Sequence, residues 1–245
     1  MRFFRDGGDN RGVSLAARKL APEYGVEYLS PAFAMHKKGH YGAIVGRGYA
    51  DADEYARLLE EAGKAGCDFI KIMVSGIISF RSYGELSCES LSGQEMAFLA
   101  ARAHEAGFSV MAHVNGAQAV REAAEAGIDS IEHGYFADAA ALEAMAEHGS
   151  IWVPTLAAVA AFVGREGFDS AVAEETLRRQ MDAVSLGYKM GVKIAPGSDS
   201  GAVGVVHGRG TVWEYELLKE ALGPGSEEEL NVRAAELFRR FRPGT

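Results

Sequence analysis

Four side chains that could together bind a metal ion lie near the ends of four separate apolar runs. Lys71 lies in CDFIKIMVSG, His113 in FSVMAHVNG, His133 in DSIEHGYF and Asp199 in VKIAPGSDSG. Counted from the glycine before each run, Lys71 is the fifth residue and each of the two histidines the sixth. Since active sites of parallel α/β barrels gather at the carboxyl ends of the strands, such residues can converge. Imidazole and carboxylate are common zinc ligands, so the pattern indicates a metal site.

Lys71 is the unusual member of this set, because an ammonium buried among Ile70, Ile72 and Met73 is costly. Two reactions would relieve that cost. Addition of CO₂ to the amine gives a carbamate, an anionic oxygen ligand for a divalent metal. A neutral amine could instead form a Schiff base with a carbonyl substrate. The neighbouring histidines favour the carbamate, and a structural ion pair with Glu132 is the remaining alternative.

Asp199 is the candidate catalytic residue. A carboxylate beside a metal-bound water can ligate the metal, orient the water, and accept and then return its proton. A bound metal lowers the pKa of that water to roughly 7. The reaction so described is attack of hydroxide on an amide or ester carbonyl. The structural alternative is that Asp199 caps the helix that follows.

Weaker candidates for substrate binding lie in the loops that follow the strands. They are His36 and His40 in HKKGHYG, Arg81 and Tyr83 in FRSYGE, and His207 in VVHGRGT. Arg81 and Tyr83 could bind a carboxylate or oxyanion of a small-molecule substrate, and each of the three histidines could contact that substrate. Each could also simply pack within its own loop.

The elements that must position these residues are signalled by glycines at helix ends. Ala- and Glu-rich segments run into Gly25, Gly66, Gly107, Gly127, Gly149 and Gly191. Glycine suits the left-handed residue that ends a helix. A short apolar run without polar alternation follows each glycine, which is typical of a parallel strand covered on both faces. Helix starts are predicted at Asp51, Ser92 with Glu95 in a capping box, Asp138 and Asp169.

Together with the opening FFRDGGD these runs make seven strands, each followed by a helix. We therefore predict an α/β fold, a TIM-like (β/α) barrel over residues 1–245 as a single domain. A complete barrel of this class has eight units, so the first strand–helix unit is missing from the pattern. Two strand edges are then left open, and exposed edges invite pairing. We therefore expect self-association into a homo-oligomer, or closure by rearranged elements.

The bulk composition excludes several classes of protein. With 245 residues, 48% hydrophobic and 24% charged, the chain can bury a large core, and its net charge is −9. No basic run is interleaved with aromatic residues, so no nucleic-acid partner is expected. No apolar stretch approaches the roughly 20 residues of a membrane span, and the opening MRFFRDGGDN lacks the features of a signal peptide. The two cysteines form no CxxC pair, and we expect a cytoplasmic protein.

The stretches FFRDGGD, FIKIMVSG, VMAHVNG, SIEHGYF and APGSDSG occur in an order that resembles the amidohydrolase superfamily. The nearest branch is the imidazolonepropionase-like and Xaa-Pro-dipeptidase-like one. The resemblance implies hydrolysis of amide, peptide or related C–N bonds with one or two divalent metals, zinc above all. It implies a carbamate on Lys71, His113 and His133 on the more buried metal, and Asp199 as ligand and proton shuttle.

One part of the family pattern has no counterpart in this sequence. Family members open with a His-x-His pair on the first strand and carry a small β-sandwich made by flanking sequence, and the sequence contains neither. The chain is then either part of a longer protein or a shortened form that keeps only the Lys71–His113–His133 metal. Two other functions stay open at this point. One is a lyase that forms a Schiff base on Lys71, and the other is a non-catalytic barrel that retains the fold.

Overall fold

Parallel strands and the helices between them build the core of the computed structural model, which describes residues 3–242. The strands are β1 Phe3–Arg5, β2 Glu27–Leu29, β3 Ala34–Lys37, β4 Gly46–Tyr49, β5 Ile70–Met73, β6 Val110–Val114, β7 Ser130–His133, β8 Ile151–Val153 and β9 Lys193–Ile194. The helices are α1 Val13–Leu20, α2 Ala52–Lys64, α3 Gly93–Glu105, α4 Ala117–Glu125, α5 Ala139–His148, α6 Leu156–Ala160, α7 Ser170–Lys189, α8 Arg209–Leu222 and α9 Glu227–Phe241, with a 3₁₀ turn at Ala21–Tyr24.

The strands form two hydrogen-bonded groups that continue into each other. One sheet has the order β4-β3-β5-β6-β7-β8-β9 with every neighbour parallel, and β1 pairs with β2. The Asp68 amide donates to the Ser30 carbonyl at 2.8 Å, which joins the end of β2 to the start of β5. β2 and β3 are thus two parts of one strand path, and β4 lies in the insert after it. The predicted seven-stranded TIM-like barrel is confirmed.

Local sequence signals explain where the elements begin and end. All six predicted glycines have positive φ, between 66° and 88°, as a left-handed helix end requires. The predicted N-caps are confirmed at Asp51, Asp138 and Asp169, and Ser92 with Glu95 forms the capping box. Every residue of β5 and β6 is buried, as expected for strands covered on both faces. No helix within residues 3–242 has both the length and the apolar character needed to cross a membrane.

The capping box on α3 predicts a pH dependence of stability. The Glu95 carboxylate bonds Lys37 Nζ and the Ser92 amide, and these contacts lower its pKa to about 2 from the ordinary 4.5. A depressed folded-state pKa contributes stability that is complete above about pH 5 and is lost as the pH falls from 4.5 towards 2. The side chain is 40% exposed, so we expect Glu95→Gln to lose only about 1 kcal/mol at pH 7.

Urea unfolding at pH 7 and pH 3 measures this difference. The gap between the wild type and Glu95→Gln should shrink at pH 3, where the unfolded carboxyl is protonated. Glu60→Gln is a matched control, since Glu60 is also paired with a lysine but lies on the exposed face of α2. A gap that stays constant between the two pH values would contradict the assignment.

Helix α9 packs against the amino-terminal end of the barrel. Lys193 of β9 pairs with Glu236 at 2.6 Å, and the Arg240 guanidinium donates to the Gly149 carbonyl, just before β8, at 2.9 Å. The Ser109 hydroxyl, just before β6, donates to the Arg240 carbonyl at 2.7 Å. An apolar cluster then fills the lower part of the barrel, made of Leu29, Phe69, Met111, Ile151, Val153, Ala195, Leu237 and Phe241. The C-terminal helix therefore forms the floor beneath the candidate site.

Candidate active site

Lys71 of β5 is buried in the barrel, with 5% of the residue exposed. Within residues 3–242 its amine makes no hydrogen bond and no ion pair. The proposed structural partner, Glu132, is held instead by Arg5, whose guanidinium lies 2.8 Å from the carboxylate. The alternative that Lys71 merely pairs with Glu132 is therefore wrong. Burial lowers the pKa of the Lys71 amine to about 8 from its ordinary 10.5.

His113 of β6 presents one ring nitrogen to the protein and leaves the other free. Its Nε2 lies 3.1 Å from the Gly76 carbonyl oxygen and 3.2 Å from Asn115 Nδ2. Asn115 is itself oriented, because its Oδ1 accepts from the Tyr135 amide. The Gly76 carbonyl oxygen can only accept, so it takes the Nε2 proton of His113, and Asn115 Nδ2, which can only donate, bonds the same carbonyl oxygen at 3.2 Å and not the ring. The lone pair of the neutral ring is then on Nδ1.

His133 of β7 is held in the opposite tautomer by a chain of hydroxyls. The Tyr135 hydroxyl donates to the Thr155 carbonyl at 2.9 Å, so its oxygen is free to accept from the Thr155 hydroxyl at 2.8 Å. The Thr155 oxygen in turn accepts from His133 Nδ1 at 2.8 Å. This chain places the ring proton on Nδ1 and the lone pair on Nε2.

The two imidazole rings lie close together and are both neutral at pH 7. Their centroids are 4.6 Å apart with the planes at 66°. Burial lowers the pKa of His113 well below its usual value, with a further contribution from His133. Burial, aided by the positive charge of Lys71, lowers the pKa of His133 to about 3. Metal ligation needs neutral imidazole, and this environment supplies it.

The backbone at His133 departs from the strand geometry around it. His113 is paired in register with Glu132, whose side chain points into the barrel to meet Arg5. Strict alternation would then direct His133 towards the outer helices. Its φ of 70° is left-handed, which is strained for a residue other than glycine and turns the ring to its position beside His113. The left-handed backbone at the end of β7 therefore turns the His133 side chain towards His113.

Two buried side chains hold that strained turn in place. The His133 carbonyl accepts from Trp152 Nε1 at 2.9 Å and from Gln180 Nε2 at 2.7 Å. Gly134 follows with a φ of 61°, and its amide donates to the Val114 carbonyl at 2.9 Å. Strain at one residue persists when the surrounding structure over-determines its conformation, which these contacts do.

Asp199 lies in the loop after β9, also in a left-handed conformation with a φ of 53°. Solvent reaches it in the open mouth of the barrel, although protein atoms surround it on the other sides. Burial raises the pKa of its carboxyl, and the positive charge of Lys71 lowers it. Helix α8 begins at Arg209 with Gly208 as its N-cap, so the alternative that Asp199 caps this helix is wrong.

The four strand-end residues do not form a ready-made site of histidine and carboxylate ligands. Within residues 3–242 no group of three His, Cys, Asp or Glu side chains is arranged to hold a metal ion. His113 and His133 are in contact, and Asp199 lies in the loop after β9, where it is exposed to solvent. Lys71, once carboxylated, could add an oxygen ligand beside the two imidazoles.

The five substrate candidates occupy different surroundings. His36 lies within strand β3 and not in the predicted loop; it is buried, with Nδ1 3.0 Å from the Lys37 carbonyl oxygen. His40 Nδ1 lies 3.1 Å from the Glu89 carbonyl oxygen. The Tyr83 ring packs edge-on against Phe136 at 4.9 Å.

The remaining two of these five candidates are exposed to solvent. Arg81 lies in the insert after β5, and His207 in the loop after Asp199, beside Gly201. The structure shows no contact of Arg81 or His207 with Lys71 or either site histidine, and the roles of all five candidates stay predictions.

Several residues of the site carry no sequence signal. Tyr41 packs its ring 5.1 Å from the His113 ring, and the negative charge of Asp199 contributes to raising its pKa, after burial. Thr155 and the Gly76 carbonyl orient the two imidazoles, as described above. Arg5 reaches the site from a strand 127 residues away from Glu132 in the sequence. Such long-range partners cannot be read from local spacing.

The residues present fit a divalent metal. Each histidine has one nitrogen fixed by a protein group and the other free, as is usual for metal-ligating histidines. The unpartnered amine of Lys71, once carboxylated, would add an anionic oxygen. The ligands would be His113 Nδ1, His133 Nε2 and the carbamate on Lys71, a set that suits zinc and related ions.

The fold and the position of the site define a TIM-like barrel with a polar cluster at the carboxyl ends of its strands. The sequence model described as the Amidohydrolase family matches residues 8–239. The chain therefore belongs to the amidohydrolase family, and the resemblance of its motifs is confirmed.

Individual relatives share the barrel with this chain. Ochratoxinase of Aspergillus niger is 28% identical over 196 residues, which is 76% of this chain and 38% of the ochratoxinase. The ochratoxinase structure superposes with a TM-score of 0.75 at 23% identity and covers 95% of this chain and 58% of its own. A Xaa-Pro dipeptidase with methionine in its active site gives a TM-score of 0.79 at 24% identity, covering 100% of this chain and 67% of its own. At these identities the structural likeness shows the fold.

Proposed function

We propose that this protein is a metal-dependent amidohydrolase, or a shortened relative of one, that hydrolyses amide or peptide-like C–N bonds of small molecules. The proposal rests on one observation. The neutral rings of His113 and His133 lie in contact, and the buried amine of Lys71 has no hydrogen-bond or ion-pair partner within residues 3–242. Family membership supports it, since amidohydrolases generally use divalent metals. The chain spans 38% of the ochratoxinase that it matches, so the activity of the whole relative is part of the proposal.

The residues divide the work of hydrolysis between them. His113, His133 and a carbamate on Lys71 would hold the metal, most simply zinc, which would polarise a carbonyl and lower the pKa of water when bound. Asp199, in the mouth, accepts a proton from the attacking water as the new C–O bond forms. It then returns that proton to the leaving nitrogen as the C–N bond breaks. Tyr41, whose ring lies 5.1 Å from that of His113, is placed to contact a substrate bound at this metal.

Metal content tests the ligand assignment directly. Wild-type protein prepared with zinc and bicarbonate is expected to hold about one metal per chain by atomic emission. His113→Ala and His133→Ala each remove a free ring nitrogen, so we expect occupancy below about a tenth, in line with the loss of a ligand. His148→Ala is the matched control, because His148 is exposed at the end of α5 and should leave occupancy unchanged. A wild type that binds no metal would refute the proposed site.

Two further measurements separate this proposal from its rivals. Turnover of a panel of dipeptides, N-acyl amino acids and lactones, lost on treatment with a chelator, would support a metal hydrolase. Borohydride trapping of a carbonyl compound on Lys71 without any metal would support the Schiff-base lyase instead. Bound metal with no turnover of any panel member would favour a non-catalytic barrel.

A further inference from the structure

The carboxylate that would otherwise be available to Lys71 is occupied by Arg5. Lys71 is paired in register with Met111, and Met111 with Ser130, so Lys71 and Ser130 occupy the same layer of the barrel. Glu132 follows in the next layer of the same strand, and its charge contributes to the pKa of Lys71. No hydrogen bond or ion pair joins Glu132 to Lys71 within the described residues, although the charge of the carboxylate still raises the pKa of the lysine.

Arg5 holds Glu132 by geometry as well as by charge. One guanidinium nitrogen donates to Glu132 Oε1 at 2.8 Å and the other to the Ser130 hydroxyl at 2.8 Å. The Ser130 hydroxyl also donates to the same carboxylate oxygen. The Arg5 and Glu132 side chains are each 5% exposed. A buried, hydrogen-bonded pair of this kind does not exchange partners freely, because breaking it leaves an unpaired charge.

The barrel floor keeps the guanidinium in place. Arg5 Cζ lies 4.3 Å from the centroid of the Phe241 ring and 5.9 Å from that of Phe69. The two rings meet edge-on, with centroids 5.2 Å apart. Arginine stacks on aromatic faces, which restricts the position of its planar head. Helix α9 thus fixes Arg5, and Arg5 fixes Glu132.

We propose that Arg5 is a positioning residue whose pair with Glu132 keeps the Lys71 amine without a carboxylate partner and so open to carboxylation. This inference rests on the proposed function. In the step concerned, the Nζ lone pair of Lys71 forms a C–N bond to CO₂. One C=O electron pair moves to oxygen, and a proton leaves Nζ to water. An amine tied as an ammonium to a carboxylate has no lone pair for this step. Asp199, the other carboxylate whose charge raises the pKa of Lys71, is exposed to solvent and forms no ion pair with Lys71 within residues 3–242.

The test is ¹³C NMR of the protein prepared with zinc and ¹³C-bicarbonate, which shows a lysine carbamate as a carbonyl signal. The wild type should show the signal and Lys71→Ala should lack it. In Arg5→Met the freed Glu132 carboxylate can pair with Lys71, so we expect the signal to fall at least fivefold. In Arg5→Met/Glu132→Gln no carboxylate is freed, and the signal should return to within twofold of the wild type. Lys193→Met, which breaks an ion pair in the floor, is the matched control and should keep the signal.

The outcomes separate the two levels of the argument. A wild type without the signal would refute the carbamate on Lys71, and with it this inference. A normal wild type together with an unchanged Arg5→Met protein would overturn the role of Arg5 alone. Should Arg5→Met fail to fold, Arg5→Gln takes its place, because it keeps a polar side chain beside Ser130 while leaving the Glu132 charge unneutralised, and the same fall in the signal is expected. A folded double variant that lacks the signal would show that Arg5 does more than occupy Glu132, and the inference would fall.

Discussion

Phe241→Ala is expected to destabilise the protein by about 3–5 kcal/mol. Phe241 is 1% exposed and ends helix α9 inside the lower barrel, against Phe69 and the guanidinium of Arg5. Removal of the ring leaves a cavity bounded by strands on several sides, which cannot collapse easily. It also removes a stacking partner of a buried charge. Because the cavity and the lost stacking contact affect the same site, we expect the decrease in the free energy of unfolding to be near the upper end of the range for single substitutions.

Chemical denaturation monitored by circular dichroism would measure this change. Val232→Ala on the same helix is the matched control, because Val232 is 47% exposed and should cost within about 0.5 kcal/mol. If Phe241→Ala cost no more than Val232→Ala, α9 would not be an integral floor of the barrel. The predicted self-association into a homo-oligomer is tested by a different measurement, the sedimentation of the wild-type protein.

Gly134→Ala is expected to have the second large effect, a destabilisation of about 3 kcal/mol from overpacking together with a disfavoured backbone. A Cβ atom at Gly134 would lie 2.5 Å from Trp152 Nε1, and Trp152 is fully buried. The indole cannot move away without releasing the His133 carbonyl that it holds at 2.9 Å. The substitution should therefore displace the His133 ring as well as lower stability.

Gly149→Ala separates the two parts of this effect. Gly149 has a similar φ of 71°, but nothing lies within 4 Å of an added Cβ atom. It should therefore cost only the left-handed backbone penalty of roughly 1 kcal/mol. Zinc content and urea midpoints of both variants provide the measurement. Equal losses in the two, with zinc retained by Gly134→Ala, would show that the Trp152 contact does not position His133.

The candidate site was predictable in its members and less so in its geometry. Similar spacing from the preceding glycines, five residues for Lys71 and six for His113 and His133, suggested that these side chains converge at one end of the sheet. The register places His113 opposite Met73, two residues above Lys71, and pairs it with Glu132. The His133 ring lies beside that of His113 only because the backbone of His133 is left-handed. A histidine at this position gives no sequence signal for that conformation.

What the sequence by itself determined here is the set of elements and the order of the chemical groups along them. Glycine helix ends, aspartate and serine caps and doubly apolar strands act through neighbours within a few residues, so they can be read locally. Only the tertiary structure determines which polar groups of the site are left without a hydrogen-bond partner. Arg5 binds Glu132 from across the barrel, Thr155 and the Gly76 carbonyl fix the positions of the ring protons, and α9 fills the floor. These choices depend on burial and on contacts between distant segments, where desolvation makes each polar partner matter.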